Sequence, residues 1–138
     1  MSSERFVVDC NILVSAALSK VSVSRQGLNK VIQSGTLLFS QATLTELELV
    51  LSRPKFTRYI TPLERQLFIF QVVQTAEIVS IDCQIQACSD PKDDMYLELA
   101  VSGKATLLLT GDRDLLTLNP YQGIPILTLT QWLDLREA

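Results

Sequence analysis

The sequence predicts an α/β fold, a three-layer sandwich whose central, mostly parallel sheet of about four to five strands is flanked by helices. Three observations predict it. Short apolar runs alternate with helix-length stretches along the chain, the order produced by parallel strands and crossover helices. The clearest runs are continuously apolar, as strands buried on both faces are. Several end directly in a carboxylate or hydroxyl residue, and in open α/β sheets ligands collect just outside the strand ends.

Residues 6–9 read as the first strand, short and partly β-branched, and a helix over 11–18 follows. Ser24 is placed to cap a second helix over 25–34, which Gly35 ends. Residues 36–39 form a second strand, and Ser40 or Thr43 caps a helix to about 52. In it Leu44, Leu47 and Leu51 recur at core spacing. Pro54 marks a break, followed by a helical turn over 55–59. Thr61-Pro62 is a helix-start signature, and that helix runs to about 75 with Leu67, Phe70 and Val73 on its apolar face. A third strand is expected over 77–81; residues 82–90 read ambiguously. Asp93 or Asp94 starts a helix to Ser102, stopped by Gly103. Residues 105–110 are the strongest buried strand, and a short helix over 112–116 follows Gly111. A loop over 119–123 leads to a last strand, 125–129, and Thr130 caps a C-terminal helix to about 136. There is no linker, repeat or low-complexity tract, so one domain over 1–138 is expected.

Composition narrows the chemistry. With 138 residues, 47% of them hydrophobic, the chain has a real core, and its mean hydropathy of +0.24 leaves room for an apolar patch that meets another copy. No apolar run approaches the roughly 18 residues of a membrane span, and the N-terminus shows no basic segment leading into a long apolar one. The three cysteines form no pairing motif. A cytoplasmic location is expected. The chain contains no histidine. That removes the commonest acid–base group, His-containing zinc sites and the Ser-His-Asp triad together. Hydrolysis would run on carboxylates, a metal or a thiol. The net charge of −3 argues against strong nonspecific duplex binding, but acids gathered round a cation would leave the remaining surface close to neutral.

Four acids stand at suggestive places. Asp9 closes the first strand, Asp112 lies just past the Leu-rich strand, Asp94 begins a helix, and Glu46 sits inside an otherwise Leu-marked helix. Singly each reads as a helix cap or a solvated charge. Together at one sheet edge they would repel unless something positive joined them. A hard divalent cation is the fitting partner, and such a site activates water against a phosphodiester. On this reading Asp9 and Asp94 are direct metal ligands. Asp112 binds through water or completes a second position, and Glu46 binds or orients the attacking water. Asp93 and Asp114 are outer acids, while Asn11, Ser40 and Thr110 support by hydrogen bonds. Arg53, Lys55, Arg58 and Arg65 form a basic stretch that reads as a solvated surface or a phosphate track. Lys92 and Arg113 adjoin site acids and are candidate phosphate contacts. Tyr59 and Tyr96 are open to base stacking or to packing.

Four segments in this order resemble the PIN-domain family over nearly the whole chain. They are Val8-Asp9-Cys10-Asn11-Ile12-Leu13-Val14, Phe39-Ser40-Gln41-Ala42-Thr43-Leu44-Thr45-Glu46-Leu47 with the later Arg53-Pro54-Lys55-Phe56, Asp90-Pro91-Lys92-Asp93-Asp94-Met95-Tyr96-Leu97-Glu98-Leu99-Ala100, and Leu109-Thr110-Gly111-Asp112-Arg113-Asp114. The Arg-Pro-Lys-Phe and Asp-Pro-Lys-Asp-Asp strings look like the bacterial branch described as toxin components of toxin–antitoxin systems. The resemblance implies a Mg²⁺- or Mn²⁺-dependent endoribonuclease, with Asp9, Glu46, Asp94 and Asp112 in the acidic positions. It also implies a homodimer or larger homo-oligomer, an RNA substrate that is single-stranded, and a small antitoxin partner.

Two other classes compete. A phosphatase with an Asp-x-Asp pair would need an acid at position 11, which is Asn11, and a receiver domain would need paired early acids beside Asp82. The non-enzymatic alternative is an RNA-associated or regulatory module that keeps an idle acidic pocket.

Overall fold

The computed structural model describes residues 4–137. The N-terminal positions 1–3, on which part of the leader reading falls, lie outside the described residues. The elements run β1 (Arg5–Val8), α1 (Cys10–Leu18), α2 (Val23–Ser34), β2 (Thr36–Phe39), α3 (Gln41–Leu51), α4 (Pro62–Gln74), β3 (Ala76–Ile78), α5 (Asp94–Ser102), β4 (Leu107–Leu109), α6 (Arg113–Leu116), β5 (Ile126–Leu127) and α7 (Leu129–Glu137). Two 3₁₀ turns, Pro54–Phe56 and Pro91–Asp93, precede α4 and α5.

The five strands form one sheet in the order β3-β2-β1-β4-β5, and every pairing is parallel. The chain builds outward from β1 to β2 and β3, then crosses back to add β4 and β5 on the other side. The order therefore reverses between β1 and β4, and the crevice above that point is where an open sheet binds ligands. Val8 lies opposite Leu109 in this pair. Asp9 and Thr110 thus leave the sheet side by side.

Helices sandwich the sheet. α1 packs on α2 and α3, α2 on α7, and α3 on α5. Phe6, Leu37, Leu38, Phe39, Leu108 and Leu109 are almost wholly buried at its centre. Phe6 meets Trp132 of α7 edge-on, with ring centroids 5.2 Å apart. Among the described residues no helix is long and apolar enough to cross a membrane.

Several boundaries differ from the sequence reading for identifiable reasons. Ser22, not Ser24, caps α2, because its hydroxyl accepts from the Arg25 amide at 3.1 Å. Thr128, not Thr130, caps α7. Its Oγ1 accepts from the Gln131 amide at 3.1 Å while Gln131 Oε1 accepts from the Thr128 amide at 2.8 Å, a reciprocal box. That earlier start shortens β5 to two residues. Both caps expected before α3 are used together: Ser40 Oγ accepts from the Thr43 amide and Thr43 Oγ1 from the Ser40 amide.

α4 departs further. Phe68 and Val72 form its buried face, whereas Leu67 and Phe70 are exposed and Val73 half-buried. The helix carries apolar residues nearly all round, so spacing alone did not single out a face. Arg25 settles one side, reaching across from α2 to stack over the Phe68 ring at 5.3 Å.

Gly35 fixes how tightly β2 begins beside β1. A Cβ there would stand 2.3 Å from the Glu4 carbonyl oxygen, the same oxygen that accepts from the Thr36 amide at 3.0 Å. Gly35→Ala is expected to cost about 1–3 kcal/mol, the usual range for overpacking against a fixed neighbour. Urea unfolding of the variant checks this, and an unchanged midpoint would contradict it.

Candidate functional site

Asp9 is built in as the cap of α1. Its Oδ1 accepts from the Ile12 amide at 3.0 Å. Its Oδ2 accepts from the Thr110 hydroxyl and, at 3.4 Å, from the Gly111 amide. Burial pushes its pKa up, the Thr110, Ile12 and Gly111 donors pull it back, and the charge of Asp112 adds to the rise. Thr110 is wholly buried, and its Oγ1 also accepts from the Asp112 amide at 3.0 Å. One hydroxyl therefore ties the end of β1 to the start of α6. Asp112 in turn caps α6 through the Asp114 amide, 2.9 Å from its Oδ1.

The carboxyl of Asp93, half-buried at the end of the Pro91–Asp93 turn, is pushed up to about 7. Burial is the main cause, followed by its hydrogen bond to Asp112 and by the charges of Asp112, Asp90 and Asp9. The crowding keeps Asp93 protonated further toward neutral pH than an isolated carboxyl would be. Glu46 comes from α3, on the same helical face as Val50 and Arg53. These side chains wall a single open pocket of about 260 Å³ above the β1–β4 crevice. Its acids are Asp9, Glu46, Asp90, Asp93 and Asp112; Asn11, Arg53, Lys92 and Tyr96 line it as well.

The structure thus gathers Asp9, Glu46 and Asp112 as the sequence suggested, but Asp94 is not in the lining. Its Oδ1 accepts from the Ala87 amide at 3.1 Å and the Cys88 amide at 2.8 Å. The Cys88 amide is the main reason its pKa is lowered. Asp93, expected only as an outer acid, faces the pocket instead. The Pro91–Asp93 turn ends at Asp93 and α5 begins at Asp94, and the two side chains part at that junction. A signal for this was present. Asp94, Glu98 and Ser102 recur every four residues, and all three hold the coil before α5. Glu98 Oε2 accepts from the Ile85 amide at 3.0 Å, and Ser102 Oγ accepts from the Asp82 amide at 3.1 Å.

The remaining candidates divide. Asn11 and Lys92 line the pocket. Ser40 is buried as the α3 cap, while Arg113 and Asp114 are exposed on α6 outside the lining. Tyr59 is exposed away from the site. Asp90, read from sequence as a turn residue, both caps that turn through the Lys92 amide and lines the pocket. The Tyr96 hydroxyl, buried in the pocket floor, accepts from the Cys10 amide at 3.2 Å.

Two routes to hydrolysis can now be weighed. Burial, then the charges of Glu46 and Asp9, raise the Cys10 thiol to about 11. Burial and Asp94 raise Cys88 to about 12. Both stay protonated at neutral pH, which disfavours a thiolate nucleophile. The all-oxygen donor set of the pocket suits a hard divalent cation, and the proton retained by Asp93 stands where such a cation's charge would relieve the same repulsion. As the side chains are placed, no group of three or more such residues among those described closes into a metal cage.

Comparison with known proteins adds to this geometry. A family model described as PIN domain matches residues 5–114. No curated protein matches. Among solved structures, the chain is similar to VapBC2 from Rickettsia felis bound to a DNA fragment from their promoter. The TM-score is 0.60 and the identity 18%, over 89% of this chain and 96% of that one. It is also similar to PAE2754 from Pyrobaculum aerophilum, with a TM-score of 0.57 and 18% identity over 98% of this chain and 91% of that one. At this identity the two structures support the fold.

Removing the Thr110 hydroxyl leaves Asp9 with one fewer donor and the Asp112 amide without its acceptor. Thr110→Val is expected to destabilise by about 1–3 kcal/mol in urea unfolding; a wild-type midpoint would contradict the linkage. A second expectation concerns pH. The folded pKa of Asp93 lies above its unfolded value, so the folded state holds the extra proton between about pH 4 and 7. Stability contributed at the low end of that window is lost as pH rises through it. Allowing for solvent screening of this part-exposed group, the loss is on the order of 1–2 kcal/mol. Unfolding measured in EDTA at pH 5 and pH 8 should show Asp93→Asn losing less than the wild type, and equal losses would count against the raised pKa of Asp93.

Proposed function

Because the chain belongs to the PIN-domain family, we propose that it is a divalent-metal-dependent endoribonuclease acting on single-stranded RNA as one domain spanning 1–138. The observation that carries this is the crowding of carboxyl groups at the β1–β4 crevice, tight enough to push Asp93 up to about 7. In this reading Asp9, Asp93 and Asp112 hold Mg²⁺ or Mn²⁺, with Asp93 in the role first assigned to Asp94. The bound ion would supply Lewis-acid activation of water and neutralise charge on the phosphate.

The protein's own groups do the rest. Glu46 faces the pocket from α3 and serves to orient the attacking water or accept its proton. Thr110 and the Ile12 amide fix the Asp9 carboxylate from both oxygens, so it need not reorganise. Tyr96 anchors the turn after Asp9 through the Cys10 amide. Asp94 acts at a distance by holding the coil before α5.

The biological setting proposed is that of a cytoplasmic toxin component with a small antitoxin partner, working as a homo-oligomer. The family match and the fold shared with VapBC2 support it. The absence of a closed three-carboxylate group among the described residues favours one other reading, a non-catalytic RNA-associated module.

One assay separates them. Labelled single-stranded RNAs should be cleaved with Mg²⁺ or Mn²⁺ and not in EDTA. Asp9→Asn and Asp93→Asn should each lower the rate by about 100-fold or more, since disturbing even the outer partners of a metal site costs 10–100-fold. Asp94→Asn should chiefly lower stability. Cleavage that survives EDTA, or that is indifferent to Asp9→Asn and Asp93→Asn, would sink the nuclease reading. Loss with Asp94→Asn alone would reverse the assignment of the two neighbours.

A further inference from the structure

The pocket holds two cations that the acidic site does not use. Arg53 enters just past α3, on the face shared by Glu46 and Val50, and Lys92 enters from the turn before α5. Both line a pocket that five carboxyl side chains also line, yet neither forms an ion pair. Among the described residues the ion pair found is Arg5 with Glu77, at the other end of the strands. Cations in acidic surroundings normally fold down onto the nearest carboxylate. These two make no such pair.

The floor of the pocket adds a third polar group. Tyr96 is 5% exposed. Its oxygen accepts from the Cys10 amide at 3.2 Å, and its hydroxyl also pairs with the Cys10 side chain. Burial, then nearby charge, raises its pKa, so the hydroxyl stays a donor. A guanidinium, an ammonium and a phenol around one space suit an anion with several oxygens.

Size and lining narrow the anion. About 260 Å³ is below the roughly 300 Å³ at which pockets for drug-sized molecules begin. Tyr96 is the one aromatic residue in the lining and is packed into the floor, which leaves no free ring for a base to stack on. A phosphate with its flanking sugars fits these terms and a recognised base does not.

We propose that Arg53, Lys92 and Tyr96 form a phosphate subsite that grips one backbone phosphate of the RNA strand next to the bond to be cut. Selection inside the pocket is then for the backbone, and any sequence preference is set outside it. This rests on the nuclease reading for the identity of the strand. Lys55 and Arg58 lie outside the subsite, Lys55 with its Nζ over the Phe56 ring at 5.1 Å.

Equilibrium binding of a fluorescein-labelled single-stranded oligoribonucleotide in EDTA, followed across a salt series, tests the proposal without cleavage. Arg53→Ala and Lys92→Ala should each weaken binding about 3–10-fold and flatten the log–log salt slope by about 0.7, the value for one phosphate contact on a single strand. Tyr96→Phe should weaken binding with the slope unchanged, because a phenol carries no charge. Lys55→Ala and Arg58→Ala should behave as wild type. Wild-type affinity and slope in both Arg53→Ala and Lys92→Ala would overturn the subsite, and so would equal losses in Lys55→Ala and Arg58→Ala. Failure of the wild type to bind RNA at all would overturn the subsite together with the nuclease reading. Binding that depends on Arg53 and Lys92 in a protein that never cleaves would leave the subsite standing and remove the nuclease.

Discussion

The Asp9 amide donates to the Leu109 carbonyl at 3.0 Å, continuing the β1–β4 ladder one residue beyond Val8. Much of the site follows from that register. It brings Thr110 beside Asp9, so that a hydroxyl meets a carboxylate instead of a second charge, and it starts α6 close enough for Asp112 to share the same hydroxyl. Sliding the pair by one residue would turn every β4 side chain to the opposite face. Leu108 would then exchange places with its neighbours, and core and pocket would fail together. Folding and site geometry rest on one set of backbone hydrogen bonds.

The architecture was largely legible because the strands that matter are buried on both faces and the punctuation between elements is strong. Thr61-Pro62 and the 36–39 run fall where the sequence puts them. The misplaced caps share a cause: Ser22 and Ser24, like Thr128 and Thr130, offer equivalent hydroxyls two residues apart, and three-dimensional fit decides between them. α4 was read onto the wrong face because it has no clean polar side. Of the four acids the sequence singled out, Asp9, Glu46 and Asp112 line one pocket, and Asp93 stands there where Asp94 was expected. Asp93 and Asp94 are chemically identical neighbours, and a strand-end or helix-start argument treats them alike. What separates them is the set of amides that Asp94 occupies, and the partners of those bonds lie in the segment 82–90, which has no periodicity to read.

On the proposed reading, a chain of net charge −3 meets a polyanion through the arrangement of its charges. Its acids are concentrated where a cation or a retained proton can offset them, and its free cations are placed at the same rim. Charge arrangement, rather than total charge, sets what approaches. With no histidine, and with Cys10 and Cys88 pushed up to about 11 and 12, Asp93 is the pocket group raised toward neutral pH.

The coil between β3 and α5 has one more implication. Its main chain is gripped along its length: the amides of Asp82, Ile85, Ala87 and Cys88 each donate to a side chain of α5. A few of its side chains add to this, Asp82 and Cys83 meeting Ser102 while Val79, Ile85 and Cys88 pack on the core. Amides are common to every residue but proline, so the other side chains along this stretch are free to drift, while its length is not. Relatives should show it as a segment of scattered composition and fixed count, anchored to a conserved polar ridge on the helix behind it.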